Sequence, residues 1–266
     1  MDIIVFIKQI IDPEMPTAKF KVDTGAKKVI PPEGMPLVIN PFDAQAVEAA
    51  LRLKETQGAK ITAVCMGDDS AKDVVKHVVS MGADEGILLS DAAFDGSDSL
   101  STAYILAKAV EKIGAYDLIL CGRQAADWDA GQVGSILAEN LGIPVITLAK
   151  SVEAADGNVK VERVVLDGLE IIEATLPALV TVSNEIGQAR LPTGKGIIMA
   201  ARKQIPAWTA GDLGCDASLI GSGAAKSELL SLTIPSRARK GEIVEGESID
   251  EAAGNLALKL REMKAI

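Results

Sequence analysis

The densest collection of chemically capable side chains lies in residues 121–134, "CGRQAADWDAGQVG". The stretch follows an apolar run, "YDLIL", and precedes "SILAENLGIP", which reads as a helix closed by Gly142 and Pro144. A turn from a buried strand into a helix is where free helix N–H groups can hold an anion such as a phosphate. Gly131 and Gly134 remove side-chain bulk from that first turn, either to admit a ligand to the backbone donors or to let helix and strand pack closely; both readings stay open. Asp127 repels a phosphate but accepts hydrogen bonds from ribose hydroxyls, and Gln124 can read a base edge or another amide. Trp128, on a polar loop, is either a stacking platform or an interface anchor. Asp129 with Gln132 three residues on fits an acidic N-cap, a structural rather than a catalytic role.

A second turn rich in donors, "DGSDSLSTA", follows an apolar run at 86–89. Asp98, Ser99, Ser101 and Thr102 crowd the start of its helix, to share a phosphate or simply to cap. Two such helix starts, both at strand carboxyl ends, point to one shared nucleotide cleft.

The elements that must position these turns alternate in type. Apolar runs at 3–7, 61–65, 86–89, 118–121 and 145–148 predict short buried strands, and amphipathic patterns at 44–55, 71–81, 99–113 and 132–141 predict the helices between them. That alternation, with a core of Ala, Val, Ile and Leu and only 3% aromatic residues, predicts an α/β doubly wound, mostly parallel sheet. Within 11–42, "FKVDTGAKKVI" predicts a hairpin turned at Asp23-Thr24-Gly25. After Lys150, "GNVKVERVV", "LEIIEAT" and "ALVTVS" predict an antiparallel edge on the same sheet. From 184 to about 246 the Gly- and Pro-rich chain lacks periodicity and reads as an extended arm. A final helix opens at the capping box Ser248-x-x-Glu251 and shows an apolar stripe through Ala252, Leu256, Leu260 and Met263, which needs burial on this chain or on a partner.

Several chemistries are disfavoured. No GxGxxG follows the first strand, no GxxxxGK[ST] exists, and the "TGKG" at Lys195 has no strand before it. His77 is the only histidine, set among Val74, Val75, Val78 and Val79, so it reads as a surface or supporting residue. With no His-based triad and no metal cluster, a hydrolase is disfavoured. A net charge of −10 argues against nucleic acid and anionic membranes as partners. Cys65, Cys121 and Cys215 form no CxxC pair, which suits a reducing cytoplasm. "MDIIVFIKQI" meets Asp12 and Pro13 too soon for a signal peptide, and no apolar run reaches the roughly 20 residues of a membrane span.

Taken in order, "VFIKQIID", "INPFDAQAVEAALRLKE", "VCMGDDSAKDVVKHVVSMGADEGILLSD", "LILCGRQAADWDAGQVGSILAENLGIP" and "LPALVTVSNEIGQARLP" closely resemble the beta subunit of electron transfer flavoprotein over residues 1–205. The resemblance implies an adenine nucleotide alpha hydrolase-like fold and a partner alpha subunit carrying one FAD. It also implies a nucleotide site on this chain for AMP or, in an electron-bifurcating branch linked to NADH, a second FAD. The positions it carries over to that site are Phe6 and Lys8, Asn40, Phe42 and Asp43 of "NPFD", and the Met66-Gly67 turn. In the long loop they are Gly122, Arg123, Gln124, Ala125, Asp127, Trp128, Asp129, Gly131, Gln132, Val133 and Gly134. The "GSDSLST" loop, with Asp98, Ser99, Ser101 and Thr102, is more similar to the flavin-bearing branch, so FAD is the expected occupant and AMP the alternative. Trp128, Ala130 and Gly131 depart from the small or polar residues expected there. "NEIGQARLPTGKGIIMAARK" is similar to the family's recognition loop, whose leucine enters an apolar pocket of an acyl-CoA dehydrogenase; Leu191 matches it, and "TGKG" lengthens the loop.

The resulting expectation is an electron-carrier subunit rather than a stand-alone enzyme, with no catalytic acid or base. Residues 1–205, including the loop at 184–203, would form the nucleotide-binding domain, and 206–266 an arm and helix packing on the alpha subunit. Two other classes stay in view: an adenine-nucleotide sensor of the universal stress type, which would be stable alone on gel filtration, and an ATP-dependent ligase-like enzyme. The second is disfavoured because "GSDS" follows the third strand rather than the first.

Overall fold

Strands and helices alternate through the first half of the chain in the computed structural model, which describes residues 1–235 and 241–266. The strands are β1 (Asp2–Ile7), β2 (Lys60–Met66), β3 (Glu85–Leu89), β4 (Leu118–Gly122), β5 (Val145–Ala155), β6 (Asn158–Val165), β7 (Gly168–Thr175), β8 (Ala178–Val182) and β9 (Ala207–Trp208). They form one nine-stranded sheet in the order β7-β6-β5-β8-β4-β1-β2-β3-β9. From β5 to β9 of that order every pairing is parallel, whereas β6 and β7 add an antiparallel edge. The long β5 serves both parts, pairing β8 at Val145 and Ile146 and β6 from Ser151 to Ala155. One edge of the sheet is thus the two-residue β9; the other is β7, where Glu170 faces Arg163 and Glu173 faces Lys160 on β6.

The central strands are apolar on both faces because helices cover both. Ile3, Val5 and Ile7 pack with α1 (Pro41–Gln57) and α2 (Lys72–Met81), while Ile4 and Phe6 pack with α3 (Ser99–Ile113) and α4 (Val133–Leu141). This is the expected doubly wound arrangement. Strand order reverses at β1, with β2 and β3 to one side and β4 and β8 to the other, so the carboxyl ends of β1 and β4 flank the switch point.

Four expectations need correction. The run "ALVTVS" is not part of the antiparallel edge: β8 (Ala178–Val182) is buried throughout and runs parallel to both β4 and β5 inside the sheet, where an apolar strand is covered on both faces. Helix α1 begins at Pro41 rather than 44, because Asn40 is extended and Pro at the first helical position is already set to helical φ. The hairpin pairs Lys21–Asp23 with Lys28–Ile30, so its turn is residues 24–27 and Asp23 sits in the strand. The arm from 184 is largely folded: α5 (Gly194–Arg202) packs on α2, β9 joins the sheet, and Leu213 and Ile220 are buried against α3 and its neighbours. The packed unit therefore runs past residue 205 to about 224. Lys112 lies 4.9 Å over the Trp208 ring and helps hold that return. A two-residue strand has no period to read. Residues 236–240 of the expected arm lie outside the described residues.

The last helix, α6 (Ile249–Glu262), starts at Ser248 as expected, with Ser248 Oγ accepting from Glu251 N at 3.2 Å. None of its residues is buried; Leu256 and Met263 of the stripe are exposed. No described helix is long and apolar enough to cross a membrane.

Candidate functional site

The switch point is built by the first turn of α1. Asn40 is a residue type suited to capping, yet its buried amide does not cap α1. Its Nδ2 instead donates to Gln124 O at 2.8 Å and its Oδ1 accepts from Ala126 N at 3.1 Å, tying the long loop to α1. Asp43, also buried, accepts from Lys8 N at 2.8 Å and from Gly122 N at 3.0 Å, so one carboxylate joins the ends of β1 and β4. Burial raises its pKa to about 7, against the pull of the hydrogen bonds from Asn40, Lys8 N and Gly122 N and of the Lys8 charge. Gly122 is required here: a Cβ would stand 2.5 Å from Asp43 Oδ1 and 2.7 Å from Phe42 Cβ. Phe42 in turn lies under the Arg123 guanidinium at 4.9 Å.

The loop then folds on itself. Lys8 Nζ pairs with Asp127 at 2.7 Å, Gln124 Nε2 donates to Asp129 at 2.7 Å, and Asp129 N donates to Ala125 O at 2.8 Å. Asp129 is not the helix cap that the sequence predicts. It adopts φ of 52°, its carboxylate is held by Gln124, and the N-cap position falls to Gln132, whose side chain does not cap. The first turn of α4 is consequently bare of side-chain acceptors. Gly131, exposed and at φ of 63°, leaves the approach open, the nearest neighbour of a Cβ being Arg123 O at 3.5 Å. Gly134 is the packing glycine of the pair, since a Cβ would stand 2.8 Å from Thr181 Cγ2 and 2.9 Å from Cys121 Sγ. Trp128 is 58% exposed, Ala125 and Val133 are half-buried, and Arg123 Nε is buried without a hydrogen-bond partner among the described residues.

The second turn is organised differently. Asp98 caps α3, accepting from Leu100 N and Ser101 N at 3.0 Å each, and its other oxygen accepts from Lys226 N at 2.6 Å. Ser97 Oγ accepts from Gly221 N at 3.0 Å, so the returning chain lies over this loop. Ser101 is buried, and Ser99 and Thr102 are half-buried. The hydrogen bonds support the capping reading. Helices α3 and α4 nonetheless start at the same edge on the same face and pack together.

Of the remaining carried-over positions, Met66 and Gly67 border a small cleft at the end of β2 with Asp91 and Phe94. Phe6 is a core residue beside Ile4 and Val64 and presents no side chain to solvent. His77 lies on the exposed side of α2. Burial pushes the Cys65 thiol up to about 12 and raises Cys121 too, which leaves both protonated and inert near neutral pH. Leu191 is 86% exposed. Sequence reasoning missed Glu48 and Glu55 of α1, which grip the neighbouring Arg190; only the three-dimensional fold brings them together across more than 130 residues.

A family model described as the electron transfer flavoprotein domain matches residues 29–213. The chain belongs to the electron transfer flavoprotein family. Within it, the chain is 40% identical over 267 residues to the electron transfer flavoprotein subunit beta of Thermoanaerobacterium thermosaccharolyticum, with all of both chains covered. It is 37% identical over 267 residues to the caffeyl-CoA reductase-Etf complex subunit CarD of Acetobacterium woodii, again with both chains fully covered. Similarity to the acryloyl-CoA reductase electron transfer subunit gamma of Anaerotignum propionicum is 37% over 192 residues, covering 69% of this chain and 72% of that one. The nine-stranded α/β sheet with its antiparallel edge suits this electron transfer flavoprotein assignment.

Proposed function

We propose that this electron transfer flavoprotein chain is the beta subunit of a heterodimer, holding FAD, or AMP as the alternative occupant, at the switch point. With an alpha subunit bearing its own FAD, it passes electrons between a dehydrogenase acting on an acyl-CoA and an acceptor. Bound FAD supplies the redox chemistry, and the chain supplies position and electrostatics.

The observation that carries the nucleotide is the bare first turn of α4 beside Arg123 and the open face of Gly131. Uncapped N–H groups at a helix start favour a phosphate, and a guanidinium with an unsatisfied buried donor favours it further. The Lys8 ion pair neutralises Asp127, one of the loop's two carboxylates, and so reduces the repulsion of an incoming phosphate. Trp128 offers an exposed ring on which a base can stack. The names of the CarD and acryloyl-CoA reductase relatives, each tied to a reductase of a CoA thioester, favour an enzyme acting on a CoA thioester as redox partner.

Partner contacts follow from exposed apolar surface. Leu191 stands clear of the loop as the anchor for the dehydrogenase, and the uncovered apolar side of α6 suits the alpha subunit. The deciding experiment is to purify the heterodimer, denature it and count flavin and AMP. Two adenylates per complex, one of them lost on Gly131→Arg, support the reading. A colourless complex without adenylate ends it.

A further inference from the structure

The loop that carries Leu191 is held at both of its ends. On the amino side, Arg190 turns back onto α1: its Nε donates to Glu48 Oε2 at 2.8 Å, its Nη2 to Glu48 Oε1 at 3.1 Å, and its backbone N to Glu48 Oε2 at 3.2 Å. The same guanidinium reaches Glu55 about two helical turns along, with Nη2 to Oε2 at 3.2 Å and Nη1 to Oε1. Arg52 completes the set, donating to Glu48 Oε1 at 3.0 Å and to Ile186 O at 3.1 Å. Glu48 is 5% exposed, and although its burial opposes ionisation, the two arginines hold its pKa below the ordinary carboxylate value. On the carboxyl side, Thr193 caps α5 by accepting from Gly196 N at 3.0 Å, and Gly196 lies so close to Ser80 O of α2 that no Cβ fits. Between these two fixtures Leu191 is 86% exposed.

A bidentate pair to a buried carboxylate fixes both the position and the plane of a guanidinium, which a solvated surface pair does not. An exposed apolar side chain flanked by fixed backbone has no purpose within the fold. It does lower the ordering cost of inserting that side chain into a pocket. We infer that Arg190, gripped by Glu48 and Glu55, is a positioning residue that presents Leu191 to the redox partner in its docking conformation. The inference rests on the reading of Leu191 as the partner anchor. It further assigns α1 two tasks: its first turn ties the ends of β1 and β4, and its middle holds the partner loop.

The test uses the heterodimer with its alpha subunit, with butyryl-CoA dehydrogenase reduced by butyryl-CoA as the electron donor probe. Arg190→Met should raise KM for the donor about tenfold with kcat and flavin content unchanged, and should speed amide exchange at Arg190. Arg190→Lys, which keeps the charge but cannot fork, should recover part of the KM. Glu55→Gln leaves the Glu48 pair intact and should give about a twofold rise, so it carries the test if Arg190→Met does not fold. Leu191→Ala is measured in parallel. A KM raised by Leu191→Ala but untouched by all the Arg190 and Glu55 variants overturns the inference and leaves the anchor reading standing. A KM raised by Arg190→Met but not by Leu191→Ala removes the anchor and overturns the inference with it, since Arg190 would then act on docking without Leu191. If neither changes KM, both fall.

Discussion

The first turns of α3 and α4 lie on one face at one edge of the sheet, and they treat their free N–H groups in opposite ways. Asp98 takes two of them at α3, and the returning chain covers that turn through Lys226 N and Gly221 N. At α4 the one carboxylate placed to cap, Asp129, is drawn off by Gln124, and no side chain replaces it. An N–H group already satisfied within the protein has little to gain from a ligand, whereas an unsatisfied one gains a full hydrogen bond. Two stretches that look equally rich in donors thus differ in what they have left to offer. The α3 turn is capped, and the α4 turn is open.

This contrast can be broken from its supports outward. The largest effect is expected at Asp43, which holds β4 to β1 behind the α4 turn. Its folded pKa of about 7 lies above the ordinary 3.8, so its contribution to stability is fully present below about pH 4 and is lost as pH rises through 7. Wild-type stability should decline across that window relative to Asp43→Asn, by up to roughly 4 kcal/mol, in denaturant titrations at a series of pH values. A pH-independent difference between the two proteins would show that Asp43 does not titrate there. Next comes Gly122→Ala, whose methyl meets Asp43 and Phe42. A cost of about 1–3 kcal/mol in unfolding is expected together with loss of the nucleotide counted per heterodimer. Asp98→Ala should cost about 1 kcal/mol and leave the nucleotide count intact, which separates the two turns most sharply; loss of nucleotide there would mean that α3 also serves the ligand. The smallest effect is expected from Lys8→Met. It removes a partly exposed pair worth no more than about 1 kcal/mol and should weaken adenylate binding a few-fold at low salt, an effect that fades as salt rises.

Much of this was legible in one dimension because the parallel sheet writes itself as apolar runs. The strands at 3–7, 61–65 and 118–121, the final helix at Ser248 and the two edge strands β6 and β7 follow from local pattern, whereas "ALVTVS" was misplaced on that edge because strand direction leaves no local mark. The long loop was also legible as a candidate site, through its Gly, Gln and Asp residues after a strand. What it would do internally was not. Asn40 and Asp43 look like ordinary residues of a helix start, and only the fold turns them toward Gln124 O, Ala126 N and Gly122 N. Asp129 shows the reverse error: a residue with the right spacing to cap was claimed by a nearer partner. The grip of Glu48 on Arg190 spans 142 residues, and no local period can encode such a contact. The segment after 205 hid for a different reason, since a strand of two residues and helical turns of four fall below the length at which patterns emerge.

The two borders of the sheet carry a consequence for life at high protein concentration. A wide sheet invites strangers to add a strand, and growth of that kind ends in fibres. Here β9 is too brief to serve as a template, and β7 places Glu170 and Glu173 on opposite faces of its outer run, each with a cation across the ladder. Any chain laid along β7 would have to strip water from a carboxylate whichever face it covered. Those two carboxylates thus oppose edge-to-edge growth along β7, against the pull of the exposed Leu169 and Ile171 on the same strand.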